Sequence, residues 1–246
     1  MKIGHLIVLF AISALICNTS AQQISAGHIS KEWLGKASNM QTEWYGSNEA
    51  KLIAENVLLS QRNIGGWEKN KDYHKPFTEE EKEYYLKNKN EKGGTFDNGS
   101  TITELRFLAK VYSHFKDERY KQAFVKGLNY IFMAQYKNGG WPQYFPVKDS
   151  IDEVLLDNTQ PYSMHITYND DAMVNIMLFL EDIFLENKVF GSFKINKSVK
   201  AKAKSSFNKG MECILKTQIS INNKPTVWCA QHNCKTFAPA NAQVMN

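Results

Sequence analysis

The sequence predicts an all-α protein, an α/α toroid in the form of an incomplete barrel of helical hairpins with long loops at one end. Three observations predict it. Apolar residues recur at helical spacing in successive stretches. Two Gly-Gly-Trp turns, Asn63-Ile64-Gly65-Gly66-Trp67 and Lys137-Asn138-Gly139-Gly140-Trp141, each follow such a stretch. The helices that come next are preceded by acidic Asn/Asp clusters, Phe96-Asp97-Asn98-Gly99-Ser100 and Tyr168-Asn169-Asp170-Asp171.

Residues 1–21 form an export leader, with a lysine at position 2, an apolar run from Ile3 to Ile16 and small residues at Thr19-Ser20-Ala21. Cleavage after Ala21 makes the protein secreted or periplasmic. Residues 22–47 are a lead-in, and 48–246 make one domain of ample core size. No later apolar run approaches the ~20 residues needed to cross a bilayer, so no stable membrane insertion is expected.

Leu52, Ile53, Val57 and Leu58 predict a helix from Asn48 to Gln61, ended by the first Gly-Gly pair. The Glu- and Lys-rich stretch Thr78–Lys92 reads as a small surface helix inside a long loop. Thr101-Ile-Thr-Glu104 has the capping-box pattern, and Ile102, Leu105, Leu108, Ala109 and Tyr112 continue a helix from it. A third helix, Tyr120–Gln135, carries Phe124, Leu128, Ile131 and Phe132. The connection Lys116–Arg119 is short enough to force the two antiparallel. The pattern then repeats, with a helix begun by Thr167-Tyr-Asn-Asp170 and running through Ile183, and a return over Val199–Gln218. A third Trp, Trp228, follows the turn Asn222-Asn223-Lys224-Pro225.

Spacings of about 74 and about 87 residues between Trp67, Trp141 and Trp228 exceed those of short solenoid repeats. They suit hairpins with long functional loops. In an antiparallel pair the start of one helix and the end of the other share a side. The acidic clusters, the tryptophans and the loops 62–100 and 137–168 should therefore gather at one rim, which makes that rim the candidate binding surface.

Asp97, Asp170 and Asp171 are hard oxygen ligands suited to Ca²⁺ held together with substrate oxygens. Equally, Asp and Asn at helix starts cap N–H groups and complement the dipole. Adjacent aspartates point in different directions, so one of Asp170 and Asp171 faces the site. Trp67 and Trp141 either fill the core or line a sugar-binding cleft. Lys69, Asn70 and Gln143 are placed to present cationic or amide donors to an acidic sugar. His165 is read as a hydrogen-bonding residue at a helix start, with a base as the alternative. After leader removal Cys213, Cys229 and Cys234 remain. Cys229 and Cys234 suit a short disulfide loop in an oxidising compartment, and a metal site with His232 is the weaker alternative. The formal charge of +5 tolerates an acidic polymer. No nucleophile elbow or phosphate loop is found, and nucleic acid is not an expected partner.

The segments Asn-Ile-Gly-Gly-Trp-Glu-Lys-Asn (63–70), Gly-Thr-Phe-Asp-Asn-Gly-Ser-Thr-Ile-Thr-Glu (94–104), Asn-Gly-Gly-Trp-Pro-Gln-Tyr-Phe-Pro (138–146), His-Ile-Thr-Tyr-Asn-Asp-Asp-Ala-Met (165–173) and Pro-Thr-Val-Trp-Cys-Ala-Gln-His (225–232) resemble the pectate lyases of polysaccharide lyase family ten. The resemblance runs from about Glu49 to Ala242. It implies an α/α toroid that cleaves polygalacturonate, an acidic polysaccharide, by calcium-assisted β-elimination, acting as a monomer. Asp97 and Asp170 would hold calcium and the scissile uronate, with Asp171 beside them. Trp67, Lys69, Asn98, Trp141 and Asn169 would contact substrate. The resemblance also implies an arginine base just after a motif like Phe237-Ala238-Pro239-Ala240, where this sequence has Asn241-Ala242-Gln243-Val244. The sequence is accordingly read as a C-terminally truncated lyase. The alternatives are a non-catalytic, calcium-dependent uronate-binding protein and an inactive fragment lacking the base.

Overall fold

Each stretch with helical periodicity becomes a helix in the computed structural model, which describes residues 31–147 and 162–240. The predicted leader and the end of the chain, 241–246, lie outside the described residues. The helices are α1 Lys31–Ser38, α2 Asn48–Ser60, α3 Glu79–Lys87, α4 Ile102–Phe115, α5 Glu118–Ala134, α6 Ala172–Leu185 and α7 Lys197–Thr217. The expected boundaries hold to within a few residues, except at the second acidic cluster. There Thr167 belongs to the short strand β1 (Ile166–Thr167), and α6 starts only at Ala172.

Helices α4 and α5 form one hairpin and α6 and α7 the next. The inner members are α4 and α6. Ile102, Leu105, Phe107, Leu108, Ala109 and Val111 of α4 and Met173, Ile176, Phe179, Leu180 and Ile183 of α6 are all buried. The described part of the lead-in belongs to this core, because Trp33 of α1 sits edge-on to Phe107 at 5.2 Å and is fully buried. Helix α7 is the outermost, burying Ala203, Ser206, Gly210, Cys213 and Thr217 out of its 21 residues.

The Gly-Gly-Trp turns repeat in atomic detail. Trp67 donates its indole N–H to the Val57 carbonyl at 2.8 Å, and Trp141 donates to Ile131 at 2.9 Å. In both turns a Trp thus satisfies a carbonyl near the end of the helix before it. A glutamine just past each helix repeats the theme. Gln61 donates to the carbonyls of Gly65 and Ala123, and Gln135 to those of Gly139 and Ser206. Each Trp then lies under a glycine of the next outer helix, where a β-carbon on Gly127 or Gly210 would come within 3.1 Å of the indole. Trp228 keeps the indole bond, to Ile214 at 2.7 Å, but is 41% exposed.

Short strands connect the repeats at the loop-bearing rim. Strands β2 (Ser220–Ile221) and β3 (Lys224–Pro225) form the turn before Trp228, and β4 (Gln231–His232) pairs antiparallel with β1, matching Ile166 to His232 and Thr167 to Gln231. The expected Cys229–Cys234 disulfide is not formed. His232 organises that loop instead. Its Nε2 accepts from the Cys229 N–H at 3.1 Å, and its Nδ1 lies 3.0 Å from the Phe237 carbonyl. With both nitrogens engaged and no suitable group of ligands among the described residues, the alternative metal site at His232 is also not formed.

Two stability predictions follow from the packing. A β-carbon on Gly139, which has φ +97°, would meet the Lys209 carbonyl at 2.0 Å, so Gly139→Ala should cost about 3 kcal/mol in urea unfolding. Gly35→Ala, with nothing nearby, should be neutral or stabilise by up to about 1 kcal/mol. Glu104 is fully enclosed, and burial pushes its carboxyl up from 4.5 to about 7 despite the Trp33 indole bond. The folded state therefore holds this proton more tightly than the unfolded chain does. Stability should fall by on the order of 3 kcal/mol as pH rises from about 4.5 to about 7. Glu104→Gln should flatten that part of the pH profile, measured by denaturant titration.

Candidate functional site

The acidic clusters occupy two short 3-10 turns, Asp97–Gly99 and Asn169–Asp171, which pack against each other at one rim. Each hangs from the same scaffold. The N–H of Thr95 bonds the Trp67 carbonyl and that of Thr167 bonds the Trp141 carbonyl, both at 3.1 Å. The next residue in each case, Phe96 or Tyr168, donates to the carbonyl two residues beyond the following Trp, Gln143 or Ala230. These bonds fix the alignment of the two turns.

The alignment sets the equivalence of the two clusters residue by residue. Phe96 matches Tyr168, so Asp97 matches Asn169, and Asn98 matches Asp170. Backbone angles agree, with φ/ψ of 51°/31° at Asn98 and 51°/33° at Asp170. Both are left-handed positions that Asn and Asp tolerate better than other side chains. The first turn therefore carries its carboxylate at the first position, and the second turn carries carboxylates at the two positions after it. Asp97 is buried, whereas Asn169, Asp170 and Asp171 are exposed.

Capping does not account for these carboxylates. Helices α2, α3, α5 and α7 receive side-chain caps from Ser47, Thr78, Asp117 and Asn196, but Thr101 before α4 and Asp171 before α6 make none. The expected Thr101–Glu104 capping box is not formed. Thr101 has φ +68°, its hydroxyl donates to the Thr95 carbonyl at 2.8 Å and accepts from the Trp67 N–H at 3.1 Å. Glu104 turns inward to Trp33. Local rules are thus broken at the two helix starts that face the rim, as expected of a functional site.

Asp97 is held from two sides. Its N–H donates to the Thr95 hydroxyl at 3.1 Å, and Oδ2 accepts from the Lys69 ammonium at 2.5 Å. Its Oδ1 is buried with no hydrogen-bond partner among the described residues. Burial pulls the Lys69 pKa down, but the Asp97 bond and charge, with Tyr144 alongside, outweigh it and raise the net value. Lys69 thus remains an ammonium at neutral pH. Asn98 donates to the Asn70 side chain at 2.8 Å and Asn169 to Asp170 Oδ2 at 2.6 Å.

Two aromatic residues at this rim escaped the sequence reading. Lys69 lies 5.7 Å from the Tyr144 ring centre. Tyr162 is half-buried, and its hydroxyl pKa is raised by burial and by the charges of both Asp97 and Asp170. The packing of the two acidic turns against each other brings these carboxylates to one neighbourhood. A polar cavity of about 420 Å³, bordered by Lys69, Asn70, Lys71, Lys92 and Tyr144, adjoins them.

Other expected contacts fall elsewhere. Trp67 and Trp141 are 0% and 1% exposed, so they serve the core and cannot line a sugar-binding cleft, because the roofing glycines bring α5 and α7 down upon them. Gln143 is buried and supplies its carbonyl to Phe96 and Thr95. His165 is also buried, with its N–H on the Tyr162 carbonyl. No group of three or more His, Cys, Asp or Glu side chains among the described residues is close enough to hold a metal ion. Asp97, Asp170 and Asp171 therefore do not make a closed site. The unpartnered Asp97 Oδ1 and the exposed Asp170 fit a divalent ion only if substrate or water completes its six to eight oxygens.

The fold and this rim have known counterparts. The family described as pectic acid lyase matches residues 61–246, more than half of the chain. The family 10 polysaccharide lyase from Cellvibrio cellulosa is 30% identical, with TM-score 0.65 over 86% of this chain and 59% of that one. A mutant of that lyase in complex with trigalacturonic acid is likewise 30% identical, with TM-score 0.64 over 84% of this chain and 56% of that one. The chain thus spans less than two thirds of the length of these structures. No curated protein matches it. The chain belongs to the pectate lyases of polysaccharide lyase family 10.

The Lys69–Asp97 contact joins a buried carboxylate to a partly exposed ammonium. A double-mutant cycle with Lys69→Met and Asp97→Asn, read by urea unfolding, should give a coupling of about 1–2 kcal/mol. Lys69→Met alone should be the more damaging change, because it leaves a buried charge unpaired.

Proposed function

We propose that this chain is an exported polysaccharide lyase that cleaves polygalacturonate by calcium-assisted β-elimination. The observation that carries the reading is the packing of the Asp97 turn against the Asp170 turn at one rim, with a buried, unpartnered Asp97 oxygen and the Lys69 ammonium beside it. The match to a lyase solved with trigalacturonic acid supports the same substrate class. No helix among the described residues is long and apolar enough to cross a membrane. Residues 1–21 would act as the export signal.

Asp97 and Asp170 would hold calcium, with the uronate carboxylate and water supplying the remaining oxygens. When bound there, calcium withdraws charge from the uronate carboxylate and so acidifies the C5 proton. Lys69 and Asn98 position the sugar, Lys69 as a fixed positive charge and Asn98 as an amide donor. Asn169 orients the Asp170 carboxylate. In the elimination the C5 proton passes to a base, the C4–oxygen bond breaks and a C4–C5 double bond forms, with no water consumed. Lys69 is unsuited to be that base, since Asp97 keeps it protonated.

One observation favours the second reading, a calcium-dependent uronate-binding protein without catalysis. All three arginines are engaged by other partners. Arg62 holds Glu68 and the Asn88 carbonyl, Arg106 holds Asp182, and Arg119 holds Glu55 and Asp117.

Purified protein mixed with polygalacturonate and calcium should release unsaturated ends, followed by ultraviolet absorbance, and chelation should stop the rise. Asp97→Asn should lower kcat/KM on the order of 100-fold. Calcium-dependent retention on the polymer without product would establish the binding reading, and neither retention nor product would reject both. Because the protein supplies so few ligands, calorimetry should give a calcium Kd of about 1 mM or weaker in the absence of polymer.

A further inference from the structure

The net charge of this protein is concentrated on one helix. Helix α7 carries Lys197, Lys200, Lys202, Lys204, Lys209 and Lys216 against the single acid Glu212. That excess equals the formal +5 of the entire chain, so the remaining residues balance. Lys200 pairs with Glu186 at 2.9 Å and Lys216 with Glu212 at 3.7 Å. The other four have no carboxylate within salt-bridge distance among the described residues.

An open groove of about 740 Å³ runs along α5, bordered also by Asn63 and Ile64 of the first Gly-Gly-Trp turn and by Lys202 of α7. Lys121, Lys126 and Lys202 border it, and the only acid there among the described residues is Glu118, 3.6 Å from Lys121. Lys126 is half-buried with no anionic partner among the described residues, and burial lowers its pKa, so its ammonium stands to gain from an incoming carboxylate. Val125 and Met133 are 46% and 52% exposed. With Lys121 and Asn129 they form an i, i+4 ridge about 18 Å long. Such a surface offers apolar patches to sugar C–H faces and cations to carboxylates. A smaller recess of about 170 Å³ continues past Val125 to Lys194. None of these residues belongs to the Asp97–Asp170 rim.

We infer that the groove along α5 is a second binding site for an acidic polysaccharide, holding polyuronate carboxylates on lysines without a divalent ion. This rests on the proposed substrate class but not on catalysis. Each lysine–carboxylate contact at an exposed site is weak, and retention comes from several engaging one polymer at once. Salt screens such contacts.

The test is electrophoresis of the full chain through gels containing polygalacturonate and EDTA, conditions that disable a calcium-dependent rim. The wild type should be retarded, and 0.5 M salt should abolish the retardation, at a Debye length of about 4 Å. Asp97→Asn should be retarded like the wild type. The triple variant Lys121→Gln/Lys126→Gln/Lys202→Gln should bind at least about fivefold more weakly, with an unchanged circular dichroism spectrum. Equal retardation of the triple variant and the wild type would overturn the proposal. So would equal retardation by fully methyl-esterified pectin, or binding to anionic phospholipid vesicles but not to polygalacturonate. Product formation from short oligogalacturonates in calcium is measured in parallel. Lysine-dependent retardation without any product would reject the lyase reading and leave the groove standing.

Discussion

The bond from each turn tryptophan to a carbonyl near the end of the helix before it is the constraint on which this architecture depends. It closes the helix, places the indole in the core and sets the chain's exit direction toward the rim. Glycine on the following outer helix lets that helix settle onto the ring. The carbonyl of the same Trp then receives the N–H of the threonine that leads into the acidic turn. A core contact and a site contact thus share one residue, and substituting Trp67 or Trp141 by Ala would cost about 3–5 kcal/mol from burial alone.

The rim built on this frame is asymmetric despite the repeat. One copy buries its carboxylate beside an ammonium, and the other exposes Asp170 and Asp171 at the next two positions of the turn. Placing like charges at matched positions would require two aspartates in the same environment. The stagger instead gives a fixed, enclosed carboxylate and exposed ones, an arrangement suited to an ion or a sugar that arrives from solvent. The left-handed backbone at Asn98 and Asp170 makes that projection possible.

Much of the fold was legible in the sequence because apolar periodicity, Gly-Gly pairs and short connections are local signals. Leu105, Leu108 and Tyr112 marked the buried face of α4 directly. The rim was legible as a location and as a set of charged residues, but its pairings were not. Nothing local links Lys69 to Asp97, 28 residues apart, or places Tyr162 beside two carboxylates. The Thr101–Glu104 pattern misled because tertiary bonds to Thr95 and Trp33 outcompeted the local cap. Trp67 and Trp141 are core residues because of Gly127 and Gly210, which lie about 60–70 residues downstream and look unremarkable in their helices. Such positions carry meaning only once the two ends have met.

The acidic turns also borrow from what comes after them. Phe96 needs the carbonyl of Gln143, and Tyr168 needs that of Ala230. The Asp97 turn lacks this bond until the second tryptophan loop is in place, and the Asp170 turn depends in the same way on the third. Each acidic turn is therefore locked by the module that follows it in the chain, so a break in a later module is felt at the turn before it.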